Sequence, residues 1–358
     1  MGTRSSRAER APAGAPQVEL RVEVEPPWPF RLGGGSADGL ARRTGSHPPS
    51  LQRLLHLRGE RVHVGVVQPA PDRVLFAARA GSEAAAAEGI ARMRFATGVD
   101  DDLRAFHDAF RGDPVLGRAV RAHPHLRVRR RPVPWEALVA AITEQLIEFD
   151  RAVAIQRRLI GALGARCPAT GLRDAPPPAA VAAATPARLA AFDLAPRRAL
   201  ALRRVAREVT SGRADLDGAM GEHESARITG PFGAPPAAGR RAEAVARRLL
   251  AIPDVGPWTV EMLALHGLGR HDVIAAGDLG YLKIVGRLLT GRPYARAEIP
   301  DVRAFFAPYG AWKGLAGEYL RWGWRRGLIT PPARRSPGPA PRPAGTRWSA
   351  PVPRSAAA

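Results

Sequence analysis

Apolar residues follow a two-residue period at the start of the chain. Between residues 18 and 24, valine and leucine alternate with glutamate and arginine, which is typical of a half-buried strand. Residues 61–67 and 73–78 form two further apolar runs around a proline-containing turn, and the alanine-rich stretch 82–91 favours a helix. These patterns predict a small α+β domain over residues 17–98.

From residue 99 to residue 330 the apolar spacing changes to that of amphipathic helices. One long helical stretch is predicted from Pro134 to Gly164, because proline suits a first helical turn and glycine suits a helix end. Thr185 followed by Pro186 predicts another capped helix start. The predicted fold class is therefore mainly α with an N-terminal α+β domain.

The two ends of the chain are rich in proline, alanine, glycine and arginine. We expect residues 1–16 and the basic segment 331–358 to be disordered tails. Residues 1–16 lack the apolar core of a signal peptide, and the sequence contains no run of about 18 apolar residues, so we expect a cytoplasmic protein without a membrane partner. Cys167 is the sole cysteine, which excludes a disulfide framework, a thiolate zinc site and an iron–sulfur cluster.

The net charge of +21 indicates a polyanionic partner, for which nucleic acid is the first candidate. Of the 54 basic residues, only Lys283 and Lys313 are lysines. This arginine bias, together with abundant alanine, proline and glycine, is also typical of a GC-rich genome. The charge alone leaves both explanations open.

Pro253 and Gly256 separate two predicted helices in a helix-hairpin-helix over about residues 242–267. The first helix carries an apolar stripe within residues 242–250, and the second begins near Val260. Backbone N–H groups at the start of the second helix point outward and can bind a DNA phosphate without recognising base sequence. Taken alone, the pattern is also compatible with an ordinary turn between two helices.

Asp278 falls where a further helix begins. Aspartate is a favoured N-cap, because its carboxylate accepts hydrogen bonds from the unpaired backbone N–H groups of the first turn. On helix chemistry alone, Asp278 is better explained as a cap than as a catalytic group.

The spacing between the hairpin and Asp278 resembles a known motif, the helix-hairpin-helix plus Gly/Pro-Asp motif of DNA glycosylases. The branch most similar to this sequence is 3-methyladenine DNA glycosylase II, and the resemblance covers roughly residues 90–327. It implies the helix-hairpin-helix DNA glycosylase fold, with double-stranded DNA containing damaged bases as the partner of a monomer. The matching stretches are residues 94–100, 113–116, 134–145, 250–259, 268–269 and 276–280.

The resemblance implies that Asp278 is the catalytic carboxylate. A carboxylate beside the sugar C1′ stabilises the positive charge that develops as the N-glycosidic bond breaks. Trp258 stands where bifunctional relatives place a Schiff-base lysine, so the resemblance implies a monofunctional enzyme that leaves an abasic site without cutting the strand. It also implies a DNA-binding hairpin, formed by Pro253, Asp254, Val255, Gly256 and Thr259.

A flipped cationic base is bound well by electron-rich rings. The resemblance implies that such a base pocket is formed by Gln145, Trp258, Met262, Tyr309 and Trp312. It implies no cofactor and no metal site made of side chains. A monovalent ion on the backbone carbonyls of the hairpin is compatible with it.

Several positions depart from the pattern of the family. Asp254 replaces a hairpin glycine and adds negative charge beside the expected phosphate, and Met262 replaces an aromatic residue. Glu144 and Gln145 replace paired glutamines. Two hypotheses therefore stand. The first is a monofunctional glycosylase of base excision repair that removes alkylated or otherwise damaged purines. The second is a glycosylase-fold DNA-binding protein with altered or lost catalysis.

We expect DNA affinity to depend strongly on salt. If backbone phosphates dominate binding, the logarithm of the association constant falls linearly with the logarithm of the salt concentration, because counterions are released. Fluorescence anisotropy with a labelled duplex between about 50 and 200 mM salt measures this slope. A flat response would show that the charge of +21 is compositional and unrelated to DNA.

Overall fold

A five-stranded antiparallel sheet forms the N-terminal part of the chain. The computed structural model describes residues 17–229 and 239–331. The strands lie side by side in the order β1-β5-β4-β3-β2, so β1 and β2 are the edges. The strands are β1 (Val18–Val24), β2 (Ala41–Ser46), β3 (Pro49–Leu57), β4 (Glu60–Ala70) and β5 (Arg73–Ala80).

Helix α1 (Glu83–Thr97) covers one face of this sheet. The hydroxyl of Ser82 caps it by accepting a hydrogen bond from the backbone N–H of Ala85 at 3.3 Å. The helix approaches the sheet closely at Gly89, where an added Cβ would lie 2.6 Å from a methyl carbon of Val62. A glycine is required there because any side chain would collide with the strand.

Strands β2 and β3 are absent from the sequence prediction, which found only three strands in this region. Strand β2 is a polar edge strand, so it has no apolar alternation to detect. In β3, the adjacent residues Leu54 and Leu55 are both buried. Leu54 packs against Cys167 and Leu172 on the face opposite to α1. A strand that is covered on both faces loses the alternating pattern.

The rest of the described chain consists of helices joined by short irregular segments, and this part contains no further strand. The helices are α2 (Arg104–Phe110), α3 (Gly117–Ala122), α4 (Pro134–Glu144), α5 (Phe149–Leu163), α6 (Pro178–Ala183), α7 (Pro186–Ala190), α8 (Pro196–Thr210), α9 (Leu216–Thr229), α10 (Arg240–Leu250), α11 (Pro257–Met262), α12 (Leu279–Thr290), α13 (Ile299–Phe306) and α14 (Lys313–Arg325). A π-helical turn, Leu263–Gly267, follows α11, and a 3₁₀ segment, Ala307–Trp312, precedes α14.

These helices pack around two separate apolar cores. Helices α4, α5, α8 and α10 enclose the first core, and these helices with their core form what we call the first lobe. Helices α2, α3, α12, α13 and α14 enclose the second core, and together they form what we call the second lobe. The π-helical turn connects them, since Leu263 is buried in the first core and Leu265 in the second. The hairpin therefore belongs to the first lobe, whereas α12 and its N-terminal Asp278 belong to the second.

The predicted long helix from Pro134 to Gly164 is wrong in one respect, because it is two helices. Helix α4 ends at Glu144 and α5 begins at Phe149. Between them, Leu146 has a positive φ of 55° and a fully exposed side chain. Positive φ is strained for a branched residue and cannot continue a right-handed helix. The end at Gly164 and the Thr185 cap are as predicted.

Several sequence predictions lie outside the described residues. They concern the disordered tails at 1–16 and 331–358, of which only residue 331 is described, and most of the loop 229–239. Within residues 17–229 and 239–331, no helix is long and apolar enough to cross a membrane.

A buried ion cluster joins the sheet to the first lobe. Arg53 on β3 donates to the carboxylate of Glu136 on α4 and, at 3.2 Å, to that of Asp174. Its side chain is only 1% exposed. Removing one member of a buried cluster leaves the others charged and desolvated, which is costly. This cluster therefore holds the first turn of α4 against the sheet.

Arg53→Ala is expected to destabilise the protein by about 3–5 kcal/mol, because Glu136 and Asp174 lose the guanidinium that they share. Urea unfolding followed by circular dichroism measures the change. The matched control is Arg79→Ala on β5, whose guanidinium is 63% exposed and pairs with Glu19 at 2.7 Å. It should cost about 0–1 kcal/mol. Equal losses for the two variants would contradict this account of the cluster.

Candidate active site and nucleic-acid interface

The hairpin between α10 and α11 is a tight turn with one left-handed residue. The N–H of Val255 donates to the carbonyl of Ile252 at 3.1 Å, and Asp254 has a φ of 67°. Helix α11 then starts at Pro257, with Gly256 as its N-cap. Aspartate tolerates left-handed geometry better than most residues. This explains how Asp254 can stand where the family pattern has glycine.

Gln145, the residue that follows α4, braces this hairpin, which means that its side chain holds the turn by hydrogen bonds. Its side-chain nitrogen donates to the carbonyl of Asp254 at 3.1 Å and to the hydroxyl of Thr259 at 2.8 Å. Arg198 of α8 in turn donates to the carbonyls of Thr143 and Gln145, both at 3.1 Å. The structure thus brings Gln145 to the hairpin and engages its amide there. The resemblance implied that Gln145 lines the base pocket, and it did not predict these hydrogen bonds to the hairpin.

The negative charge of Asp254 has a positive neighbour. The guanidinium of Arg197, at the start of α8, lies 3.8 Å from its carboxylate and is 87% exposed. An exposed pair of this kind is weak and is screened by salt. Asp254 therefore still opposes a phosphate at the hairpin, although Arg197 offsets part of its charge.

Asp278 has the two contacts that hold a carboxylate in one place. Its Oδ1 accepts a hydrogen bond from the backbone N–H of Gly280 at 2.7 Å, so Asp278 is the N-cap of α12. The same oxygen lies 2.6 Å from Nη2 of Arg321 on α14. At Gly280, an added Cβ would sit 2.9 Å from this oxygen. Glycine at that position gives the carboxylate room to close on the helix.

Arg321 is a site residue that the sequence analysis missed. Its guanidinium lies 4.4 Å from the centre of the Tyr281 ring and bonds Asp278. Burial alone would lower the pKa of Arg321, but the electrostatic interactions with Tyr281, Asp278 and Glu318 outweigh it and raise the pKa above its usual range. Arg321 therefore stays charged. No local motif connects it to Asp278, because the contact exists only when α12 and α14 pack together.

Two of the predicted pocket residues share a face of α11. Trp258 and Met262 are four residues apart, so they lie on the same side of the helix, and both are partly exposed. The Cβ of Trp258 is 3.9 Å from the position that a Cβ would take at Gly277, the residue before Asp278. The backbone of α11 at Trp258 therefore lies close to the residue before Asp278, and the base-pocket roles of Trp258 and Met262 stay predictions.

The placement of Tyr309 in the base pocket is not supported by its surroundings. Tyr309 is buried in the second core, with its ring 5.1 Å from that of Phe110, and its hydroxyl donates to Asp113 at 3.3 Å. A ring packed in this way is not open to stack on a base. Trp312 is partly buried against the same core, with its ring centre 5.8 Å from that of Phe106.

Among the side chains of the described ranges, no group of three histidine, cysteine, aspartate or glutamate residues could hold a metal ion. A monovalent ion on the hairpin carbonyls stays a prediction. The carbonyl of Asp254, one of the candidate ligands, already accepts a hydrogen bond from Gln145.

The fold is that of the helix-hairpin-helix DNA glycosylases, which confirms the fold class predicted from the sequence. Among solved structures, it is similar to a 3-methyladenine DNA-glycosylase from Archaeoglobus fulgidus, with a TM-score of 0.64 and 18% identity over 86% of this chain and 98% of that one. MBOgg1 in complex with a low-affinity DNA ligand has the same TM-score and identity over 88% and 98% of the two chains. An 8-oxoguanine glycosylase/lyase from Clostridium acetobutylicum has a TM-score of 0.59 and 15% identity over 81% and 89%.

Sequence relatives support the resemblance to this superfamily. The chain is 27% identical over 323 residues to the "Probable bifunctional transcriptional activator/DNA repair enzyme AlkA" of Mycobacterium tuberculosis. That match covers 88% of this chain but only 59% of the relative. It is also 24% identical over 230 residues to a DNA-3-methyladenine glycosylase of Bacillus subtilis, covering 63% of this chain and 68% of that protein. No family model matches the chain.

Asp254→Gly is expected to tighten DNA binding about fivefold at low salt. Removing one charge about 4 Å from a phosphate is worth about 1 kcal/mol in water, and glycine readily accepts the left-handed backbone. Anisotropy with a duplex that contains a non-cleavable abasic analogue measures the change. Asp72→Gly, in the exposed turn between β4 and β5, removes the same charge far from the hairpin and should have little effect. Unchanged or weaker binding by Asp254→Gly would place the phosphate elsewhere.

Proposed function

We propose that this protein is a DNA glycosylase that hydrolyses the N-glycosidic bond of alkylated or otherwise damaged purines. One observation carries the proposal. A carboxylate, Asp278, is held at the start of α12 by the N–H of Gly280 and by Arg321, at the junction of the two lobes. The name of one sequence relative, the DNA-3-methyladenine glycosylase of Bacillus subtilis, supports the same reaction.

The chemistry that we propose follows from a fixed negative charge. As the bond between C1′ and the base breaks, the sugar develops positive charge. A carboxylate that is already oriented stabilises that charge without having to reorganise, and it can orient the attacking water. The contacts from Gly280 and Arg321 restrict the Asp278 side chain to one position. Arg321 also lowers its net negative charge, so we expect the sugar cation to compete with Arg321 for the carboxylate.

The surface beside this site offers the groups that duplex DNA requires. The hairpin presents backbone N–H groups at the start of α11, where a phosphate is favoured. Leu146 is fully exposed between α4 and α5, next to the Gln145 brace. An apolar side chain that projects from a DNA-binding surface can enter the base stack and fill the gap left by a flipped base. We assign this role to Leu146.

We further propose that the enzyme is monofunctional. Trp258 occupies the hairpin position in which a Schiff-base lysine would act, and an indole cannot form an imine. The chain has only two lysines, Lys283 within α12 and Lys313 at the start of α14, and neither lies on the hairpin. The expected product is an abasic site in an intact strand.

The second hypothesis, a DNA-binding protein with lost catalysis, also has an observation in its favour. Arg321 lies 2.6 Å from the carboxylate of Asp278 and already neutralises part of the charge that catalysis would use. The activity of the purified protein decides between the two.

Asp278→Asn is expected to reduce base excision by about 10³-fold or more while leaving DNA binding within a few fold, because the amide keeps the cap geometry but loses the charge. The substrate is a duplex with one 3-methyladenine or hypoxanthine, analysed with and without alkali. Cleavage should appear only after alkali. Asp272→Asn, on the same loop and paired with Arg270 at 2.6 Å, is the matched control and should keep its rate.

Three outcomes would change the proposal. Absence of excision by the wild-type protein on any damaged base would leave the DNA-binding hypothesis. Full activity of Asp278→Asn would restrict Asp278 to its capping role. Strand cleavage without alkali would show that the enzyme is bifunctional.

A further inference from the structure

An ion pair connects the helix that follows the hairpin to a helix of the second lobe. Nη2 of Arg303 on α13 donates to Oε1 of Glu261 on α11 at 2.6 Å. The carboxylate side chain is 15% exposed and the arginine side chain 54% exposed. Burial raises the pKa of Glu261, and the hydrogen bond from Arg303 opposes this shift. The guanidinium therefore helps to keep a largely buried carboxylate ionised.

A second close approach involves the same two helices and the residue before Asp278. A Cβ placed at Gly277 would lie 3.7 Å from Cδ1 of Ile299 on α13 and 3.9 Å from Cβ of Trp258 on α11. Gly277 therefore lies between the first turns of α11 and α13, within van der Waals distance of both.

The ion pair lies one helical turn beyond Gly277 on each helix. Glu261 follows Trp258 by three residues and Arg303 follows Ile299 by four, and both spacings place side chains on the same face of a helix. Both contacts advance in the chain direction along both helices. Helices α11 and α13 therefore run alongside each other here, and the ion pair bridges the gap next to Gly277.

Each of these helices is fixed within its own lobe. On α13, Val302 and Phe306 are fully buried in the second core. On α11, Val260 packs against the first core, and the hydroxyl of Thr259 accepts the hydrogen bond from Gln145 at 2.8 Å. The ion pair therefore ties one lobe to the other, beside the residue that precedes the candidate catalytic carboxylate.

We propose that Glu261 and Arg303 are positioning residues, which hold the hairpin at a fixed distance from Asp278. This inference rests on the proposed glycosylase function. In that function the hairpin binds a phosphate of the duplex, while Asp278 must lie beside C1′ of the flipped nucleotide. The two groups act on one DNA molecule from different lobes, so their separation matters. A misplacement of about 1 Å can cost about 10²-fold in rate.

The test is Arg303→Ala, compared with the wild-type protein in two measurements. One is the single-turnover release of 3-methyladenine from methylated DNA, and the other is fluorescence anisotropy with an undamaged labelled duplex. We expect the rate to fall about tenfold or more, because the hairpin is no longer fixed relative to Asp278. The affinity should stay within about threefold, since the hairpin itself is unchanged.

Two further variants test whether the ion pair is the cause. Glu261→Gln should give the same pattern, and the double variant Glu261→Gln/Arg303→Ala should lose little more than either single variant, because both remove one interaction. Arg303→Lys keeps the positive charge and should recover part of the rate. Losses that add fully in the double variant would show that the two residues act independently, which would contradict the proposal.

The matched control is Arg248→Ala. Arg248 on α10 pairs with Glu208 on α8, and their side chains are 45% and 14% exposed, close to the values for the pair between the lobes. Both helices belong to the first lobe, so this variant should keep the wild-type rate. Thermal unfolding compares the stability of the two alanine variants. Equal rate losses for both would assign the effect to general destabilisation and overturn the inference.

The remaining outcomes separate this inference from the proposed function. If the wild-type protein releases 3-methyladenine and Arg303→Ala keeps the rate, the positioning role is wrong and the glycosylase remains. If Arg303→Ala loses affinity at an unchanged rate, Arg303 contacts DNA directly and the positioning role is again wrong. A wild-type protein that releases no damaged base contradicts the proposed function, and this inference with it.

Discussion

The contact between Asp278 and Arg321 links the packing of the second lobe to the chemistry proposed at its surface. One oxygen of the carboxylate meets both the N–H that starts α12 and the guanidinium carried by α14. Arg321 is in turn held over the ring of Tyr281, which is buried in the core between these helices. The position of the carboxylate therefore depends on the packing of the lobe as well as on the local helix cap. A catalytic charge gains from being fixed in this way before the substrate arrives.

The break between α4 and α5 positions the residues on the first-lobe side of the junction. Leu146 takes a left-handed backbone directly after α4, so the two residues that follow this helix have different surroundings. Gln145 braces the hairpin, and Leu146 projects into solvent. In a continuous helix these side chains would be about 100° apart around one axis.

The structural features that could be predicted from the sequence are those that depend on interactions between residues close together in the chain. The caps at Thr185 and Asp278 and the helix-hairpin-helix could be found because propensity and spacing encode them. It did not predict the break at Leu146, since the apolar stripe continues across it, or strand β3, which is covered on both faces. Arg321 was missed because its contact with Asp278 spans two helices. The burial of Tyr309 in the second core was not predicted, because a motif aligns an aromatic ring without showing how the ring is packed.

We propose that Asp278 stabilises a cationic sugar at the junction of the lobes. The most direct measurement compares the affinity of the protein for two duplexes with abasic analogues of the same shape. One carries a pyrrolidine nitrogen, which is a cation in place of the sugar, and the other carries uncharged tetrahydrofuran. The account predicts that the wild-type protein binds the cationic duplex at least about tenfold more tightly, about 1.4 kcal/mol, and that Asp278→Asn loses this preference. Equal affinity of the wild-type protein for the two duplexes would contradict it.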